Sequence, residues 1–379
     1  MWSCQGKPLK IRNSILGKVT WEKQPLLACH KYILITDNPT KYQNWNYAGL
    51  LSDETHVGVD SKKTCLLSKS NLTMLKEGDI LLMEPSGLVT ALWNAGAFDN
   101  SILSTERCNC HCIMCPQPPK VDQPGLQDFN LRIISLLDSH NTKSICITGG
   151  EPTLLGNDFI KLVKECSNRL PDVPLVVLTN GKSFHDFEFT KRLVNVGHKD
   201  LTLCVALYSD NDKDHDKIVG VQGSFYETIK GLKNLALFRQ KIEIRNVISA
   251  LNYERLPQYS KFIYKNFPFT VHIALMGSEM TGNAAVNASD VWIDPVDYLP
   301  QLEYSVKYLH RRDMNVSIYN LQHCILPQTL WAFSRKSISG WKRKYHDVCS
   351  ECDYNSECGG MFATSHNFQS RNIHALKKA

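Results

Sequence analysis

Short apolar runs separated by turn residues fill the first hundred positions. Lys31-Tyr32-Ile33-Leu34-Ile35-Thr36 stops at Asp37-Asn38-Pro39, and Asp79-Ile80-Leu81-Leu82-Met83-Glu84 stops at Pro85-Ser86-Gly87. Gly87-Leu88-Val89-Thr90-Ala91-Leu92-Trp93 then reads as the partner strand of a hairpin. The pattern predicts a β-rich domain over residues 1–100. From residue 101 the rhythm changes. Strand-like runs at Ser101-Ile102-Leu103-Ser104, Ser144-Ile145-Cys146-Ile147-Thr148, Leu175-Val176-Val177-Leu178-Thr179, 201–207, Ile242-Glu243-Ile244-Arg245-Asn246-Val247 and Val271-His272-Ile273-Ala274-Leu275-Met276 alternate with segments of helical spacing such as 129–139 and 157–167. Strands alternating with helices imply a parallel sheet. Six such units predict an α/β fold, a partial (β/α)6 barrel over 101–289, rather than the closed eight-unit form. Beyond residue 290 lie a helical stretch at 305–312, a strand at Asn315-Val316-Ser317-Ile318-Tyr319 and a Cys-rich end. These predict a C-terminal extension over 290–379.

Composition narrows the class. The chain has 379 residues, 43% hydrophobic and 21% charged, which suits a globular protein of two or three domains. A net charge of +6 is spread among Asp and Glu without a basic block, so no nucleic-acid partner is expected. No apolar run is long enough to cross a membrane, and residues 1–10 carry charge and Pro where a secretory signal would be apolar. Cytoplasmic location is the expectation. Fourteen Cys is high for this length, and ten or more reduced thiols read better as cluster ligands than as disulfides, although Cys4, Cys29, Cys65, Cys146, Cys166 and Cys204 are isolated from one another. Cys146 and Cys204 sit in apolar strands and are expected in the core.

The chemistry concentrates in two places. In Cys108-Asn109-Cys110-His111-Cys112-Ile113-Met114-Cys115, the thiols of Cys108, Cys112 and Cys115 can wrap one corner of a four-iron cluster. Such clusters normally take four Cys, so three leave one iron open to a cofactor. A zinc knot that adds Cys110 is the alternative, since structural zinc takes four closed ligands. On the cluster reading, backbone geometry turns Cys110 away. The second place is Cys324 with Cys349-x2-Cys352-x5-Cys358, four thiols that suit one closed auxiliary four-iron cluster or, alternatively, zinc. In parallel barrels, sites gather at the C-terminal ends of strands. The Cys loop, Gly149-Gly150-Glu151-Pro152, Asn180-Gly181, Ser209, Arg245 and Met276-Gly277 all fall at such ends.

The CxxxCxxC spacing followed by Thr148-Gly149-Gly150-Glu151-Pro152-Thr153 resembles the radical SAM superfamily and its GGEP motif. The resemblance implies S-adenosylmethionine (SAM) bound at the open iron, one-electron cleavage of its sulfonium, and an external electron donor. It implies that Gly149 and Gly150 let backbone approach the SAM amino group, with Glu151 adding charge beside that ammonium and Pro152 closing the motif. Met114 stands where the superfamily usually has an aromatic residue near adenine. Ser209 and Arg245 are candidates for the ribose and carboxylate of SAM, with a surface or supporting role as rival. Met276 and Gly277 are candidates for the adenine pocket, with core packing as rival. The C-terminal Cys set resembles part of the SPASM pattern, or a smaller twitch-like version, whose last Cys falls at Phe362 and is absent; Cys324 supplies the fourth thiol.

More closely, the chain resembles the HxsC family, the radical SAM maturases of His-Xaa-Ser repeat systems. Thr105-Glu106-Arg107-Cys108, Cys115-Pro116-Gln117-Pro118-Pro119, Leu207-Tyr208-Ser209-Asp210, Ala274-Leu275-Met276-Gly277-Ser278-Glu279-Met280-Thr281-Gly282 and Cys358-Gly359-Gly360-Met361-Phe362 carry this resemblance. It implies a ribosomally made precursor peptide as substrate and a partner radical SAM protein, HxsB. Two other readings stay open: a radical SAM enzyme acting on RNA or a small molecule, and a non-catalytic metal-binding partner of another maturase.

Overall fold

A computed structural model describes residues 2–53 and 63–378. The chain divides into two compact units. One holds the residues up to Ser101 together with Gln127–Ile145 and Glu165–Pro174; the other holds Ile102–Leu126, Cys146–Lys164 and everything from Leu175 onward.

The first unit is built on β1 (Ser3–Gln5), β2 (Lys7–Leu9), β3 (Ile15–Thr20), β4 (Tyr32–Ile35), β5 (Gly49–Ser52), β6 (Thr64–Leu66), β7 (Ile80–Met83) and β8 (Leu88–Trp93). The predicted hairpin is present as the antiparallel pair β7–β8. The sheet order β1-β8-β7-β3-β4-β5-β6-β2 puts two strands joined only by Gly6 at its opposite ends. Val19, Ile33, Leu51, Leu81 and Val89 form its apolar core. The sheet is mixed, because β3 to β6 pair in parallel.

The second sheet runs in sequence order through β9 (Ser101–Leu103), β10 (Ile145–Thr148), β11 (Leu175–Thr179), β12 (Leu201–Ala206), β13 (Lys241–Val247), β14 (His272–Met276), β15 (Val316–Tyr319) and β16 (Ser334–Arg335). Each pair from β11 to β16 is parallel. The first six are the strands predicted for the barrel; β15, the strand predicted in the C-terminal extension, and the short, unpredicted β16 continue the same sheet. Alternation decides what each face does. Leu203 and Val205, Ile242 and Ile244, Ile273 and Leu275, and Ile318 are all buried on one face. Helices Ser224–Leu237, Leu256–Asn266 and Leu299–His310 bring buried Leu232, Leu235, Ile263, Leu302 and Val306. Helix-covered parallel strands need this apolar face. The other face carries Cys146, Cys204, Glu243, Arg245, His272, Ser317 and Tyr319, a polar set that a helix-packed layer would not tolerate.

Candidate active site

The chain leaving β9 is laid along the chain leaving β10. Ser104 N donates to Thr148 O at 2.8 Å, Gly150 N to Thr105 O at 2.8 Å, and Glu151 N to Arg107 O at 2.8 Å. Asp122 fixes this segment from outside, accepting from Thr105 Oγ1 at 2.8 Å, Glu106 N at 2.6 Å and Arg107 Nε at 2.9 Å. The thiol loop then docks on two helices. His111 N and Ile113 N donate to Val219 O and Ile218 O, each at 2.9 Å, at the end of helix Asp212–Val219. Asn283 Nδ2 donates to Cys112 O and Asn287 Nδ2 to Ile113 O, both at 3.1 Å. Gly282 precedes this second contact with φ +58, and an added Cβ there falls 2.5 Å from Pro116 O.

Cys108, Cys112 and Cys115 are half-buried on this loop. Hydrogen bonding to Cys110 and burial push the Cys108 thiol up. Cys110 is not turned away from them, as the sequence reading had it. It is 2% exposed, its own N–H points at Cys108 Sγ at 3.4 Å, and its thiol interacts with those of both Cys108 and Cys112. Met114 packs with Ile218, Met280, Ala284 and Val291, beside Tyr208 and Val247.

Three candidate residues make contacts that the sequence did not show. Gly150 has no room for a side chain because a Cβ would sit 2.2 Å from Arg107 O; at Gly149 it would sit 2.4 Å from Thr105 O. Both glycines are needed where two chain segments cross. Glu151 is fully buried. Its Oε1 accepts from Thr153 N at 3.0 Å, Thr153 Oγ1 at 2.6 Å and Thr179 Oγ1 at 2.7 Å, and its Oε2 from Asn180 N at 2.6 Å. Burial pushes this carboxyl up against those four donors. These bonds tie the GGEP segment to the turn after β11. Pro152 is buried and opens the short turn Pro152–Leu155.

Ser209 is 1% exposed and works within its own turn, donating to Asp210 at 3.4 Å and accepting from Asn211 Nδ2 at 3.2 Å. Arg255 grips Asp210 with two bonds of 2.7 and 2.8 Å. Arg245 stands on the polar face of the sheet, its Nε donating to Glu243. Glu243 also bonds His272 Nδ1 at 2.7 Å, and His272 Nε2 meets Ser317 Oγ at 2.9 Å. Burial alone would raise the Glu243 carboxyl, but His272 and Arg245 bring it down to about 2. Met276 is half-buried at the end of β14, and Gly277 N donates to Tyr319 O at 2.9 Å.

The sequence reading missed Tyr208 as a site residue. Burial and the four nearby thiols of the loop push its hydroxyl well up. Its ring stacks on His215 at 5.8 Å, and its N–H donates to His215 Nδ1 at 3.2 Å. Asn180 was noted only as a strand end. An aromatic residue directly after a strand end was the available signal for Tyr208.

In the C-terminal region Cys324, Cys349, Cys352 and Cys358 line one pocket, with Tyr345, Asn355 and His374 around them. Leu376 N donates to Cys352 Sγ at 3.4 Å, and Asn372 Nδ2 holds Cys324 O at 3.1 Å. Phe362 instead pairs with Arg343 in the two-stranded sheet β17 (Arg343–Lys344) and β18 (Met361–Phe362), and faces a neighbouring cavity. Among the described residues, no three His, Cys, Asp or Glu side chains gather tightly enough to hold a single metal ion.

Comparison with known proteins agrees with this geometry. Residues 102–248 match the radical SAM superfamily. This segment is a radical SAM domain. The radical SAM domain implies a four-iron cluster and SAM, and three thiols on one docked loop suit the cluster. The chain is 28% identical over 149 residues to a GTP 3',8-cyclase of Campylobacter curvus, covering 38% of this chain and 44% of that protein. It is 24% identical over 179 residues to a cysteine-type anaerobic sulfatase-maturating enzyme of Clostridium novyi, covering 43% and 46%. The chain thus spans less than half the length of these relatives. Among solved structures, native anSMEcpe with bound AdoMet aligns with a TM-score of 0.51 at 14% identity, over 73% of this chain and 92% of that one. SuiB of Streptococcus suis bound to S-adenosylmethionine aligns at 0.48 and 21%, over 60% and 52%. The likeness to anSMEcpe is one of fold: an α/β domain with a parallel sheet. No described helix is long and apolar enough to cross a membrane.

Proposed function

We propose that this chain is a radical SAM enzyme that modifies a ribosomally made peptide in the cytoplasm, with His-Xaa-Ser repeats as the substrate signature. The match to a sulfatase-maturating enzyme, a protein named for acting on another protein, supports the peptide reading. The HxsC-like motifs supply the narrower one, together with an HxsB-type partner and an external electron donor. Cys108, Cys112 and Cys115 would hold the four-iron cluster. With SAM bound there, the pair supplies one-electron cleavage of the sulfonium. The chain's own work is positional: the crossing at Gly149-Gly150 sets the thiol loop, Met114 and Tyr208 pack around it, and Arg245 offers a cation on the polar face. Cys324, Cys349, Cys352 and Cys358 would hold an auxiliary four-iron cluster in the C-terminal pocket.

The GTP 3',8-cyclase match favours the second reading, a small-molecule substrate. The deciding experiment co-expresses the chain with a candidate repeat peptide and examines the peptide by mass spectrometry. A mass change that disappears in Cys108→Ala/Cys112→Ala/Cys115→Ala is the expected result. An unmodified peptide, with SAM cleaved only when a nucleotide is added, would sink the peptide reading. A triple variant that still forms 5′-deoxyadenosine would sink the cluster assignment.

A further inference from the structure

The thiol loop contains a fourth cysteine that the three-ligand reading leaves idle, and the structure shows what touches it. Asn180 ends β11. Its Nδ2 donates to Asn109 Oδ1 at 2.8 Å and to Cys110 Sγ at 3.4 Å. Asn180 is itself fixed at every other polar atom. Its N–H donates to Glu151 Oε2 at 2.6 Å, its Oδ1 accepts from Lys182 N at 3.0 Å, and its carbonyl accepts from Thr228 Oγ1 at 3.1 Å. Gly181 follows at φ +77, and an added Cβ would meet Val205 Cγ1 at 2.6 Å, so the turn is specific to glycine. Glu151 takes its remaining bonds from Thr153 and Thr179.

These bonds form one continuous path from the GGEP segment, through the β11 turn, into the thiol loop. We propose that Asn180, aimed by Glu151, is a positioning residue that holds Asn109 and Cys110 inward, so that Cys108, Cys112 and Cys115 present their thiols together. Cys110 is then a strut of the loop and not a ligand. The Glu in GGEP acts through Asn180 rather than on the cofactor. The path is physically demanding, because a wholly buried carboxylate is tolerated only when its hydrogen bonds are complete. Removing the Asn180 donor also leaves Asn109 Oδ1 without that partner in a half-buried loop.

This inference rests on the cluster reading of the Cys108 loop, and its test separates the two. The informative substitution is Asn180→Asp. It keeps the acceptor for Lys182 N and the turn, and replaces the Nδ2 donor by a carboxylate oxygen that can only accept, so both bonds from Nδ2 are lost and a negative charge is added. The first measurement uses metal-free protein, alkylated with iodoacetamide and mapped by peptide mass. Cys110 should be slow in the native chain and roughly tenfold faster in Asn180→Asp, the size expected for losing one buried hydrogen bond. The second measurement uses reconstituted, reduced protein and electron paramagnetic resonance, with and without SAM. Asn180→Asp and Asn109→Ala should each broaden the cluster signal and weaken its response to SAM. Their combination should be no worse than Asn180→Asp alone, because the Asn180–Asn109 bond that Asn109→Ala breaks is already lost there. Cys110→Ala loses the thiol's contacts with Asn180, Cys108 and Cys112 but keeps the 2.8 Å Asn180–Asn109 bond and the residue's own N–H to Cys108 Sγ, so it should keep its iron and a near-native signal.

Unchanged Cys110 labelling in Asn180→Asp would overturn the strut. So would a native signal and SAM response in both variants, or effects that simply add. Loss of the signal in Cys110→Ala with iron also lost would make Cys110 a ligand and overturn it as well. A native chain that takes up no iron on this loop would overturn both this inference and the functional reading.

Discussion

Gly150 meets Arg107 O, not open space, at the point where its side chain would begin. Gly150→Val should therefore displace the segment that delivers Cys108. Iron held by that loop should fall together with SAM affinity. An iron assay beside equilibrium dialysis checks this; iron retained with only SAM weakened would return the glycine's role to the cofactor. His215 makes a pH prediction. It is 1% exposed, and burial takes its pKa down from 6.5 to about 4. The folded state keeps it neutral while the unfolded chain protonates it, so stability is complete above about pH 6.5 and falls as pH drops toward 4. The shift corresponds to roughly 3 kcal/mol across that window. Urea unfolding at pH 7 and pH 4.5 should show a smaller difference in His215→Phe than in the native chain. An equal difference would mean the histidine is protonated in the fold.

At the scale of elements, the thiol loop has almost no secondary structure of its own. It is held by the end of helix Asp212–Val219 and by Asn283 and Asn287. Gly282→Ala places a Cβ 2.5 Å from Pro116 O at a positive φ. It should loosen this docking and lower iron uptake, without unfolding the first unit, whose core is separate. Limited proteolysis near residue 115, compared with far-ultraviolet circular dichroism, reads the two effects apart; undiminished iron would count against docking. The C-terminal pocket predicts a stoichiometry. Two four-iron clusters give about eight irons per reconstituted chain, and Cys349→Ala/Cys352→Ala should leave about four. Four irons and one tight zinc in the native chain would reject the auxiliary cluster.

Across the whole molecule, the two thiol sets lie in different parts of one chain and carry different expectations. Cys349→Ala/Cys352→Ala should still form 5′-deoxyadenosine when reduced anaerobically with SAM, yet leave the peptide unmodified. Loss of SAM cleavage itself would show that the C-terminal pocket is needed for the Cys108 loop to fold or to be reduced. Residues 102–248 are the part that the superfamily match covers. The N-terminal sheet and the C-terminal pocket lie outside that span.

Much of this was legible in the chain before folding. Short apolar runs alternating with segments of helical spacing marked the six strands β9 to β14, because helix-covered parallel strands must be apolar. The spacing of Cys108, Cys112 and Cys115 is likewise a local property, since a few residues of chain limit how far apart three thiols can stand. Non-local partners were not legible. That Glu151 is spent on Thr179 and Asn180, that Gly150 faces Arg107, and that Asn180 reaches Cys110 are contacts between positions 28 to 70 apart along the chain. Cys110 reads as an idle thiol by spacing and becomes a buried, bonded one only when β11 arrives beside it. The sequence determined which residues can do chemistry and which strands carry them. The tertiary structure decided which are free to do it, because hydrogen bonds and close packing use up groups that the linear pattern leaves open.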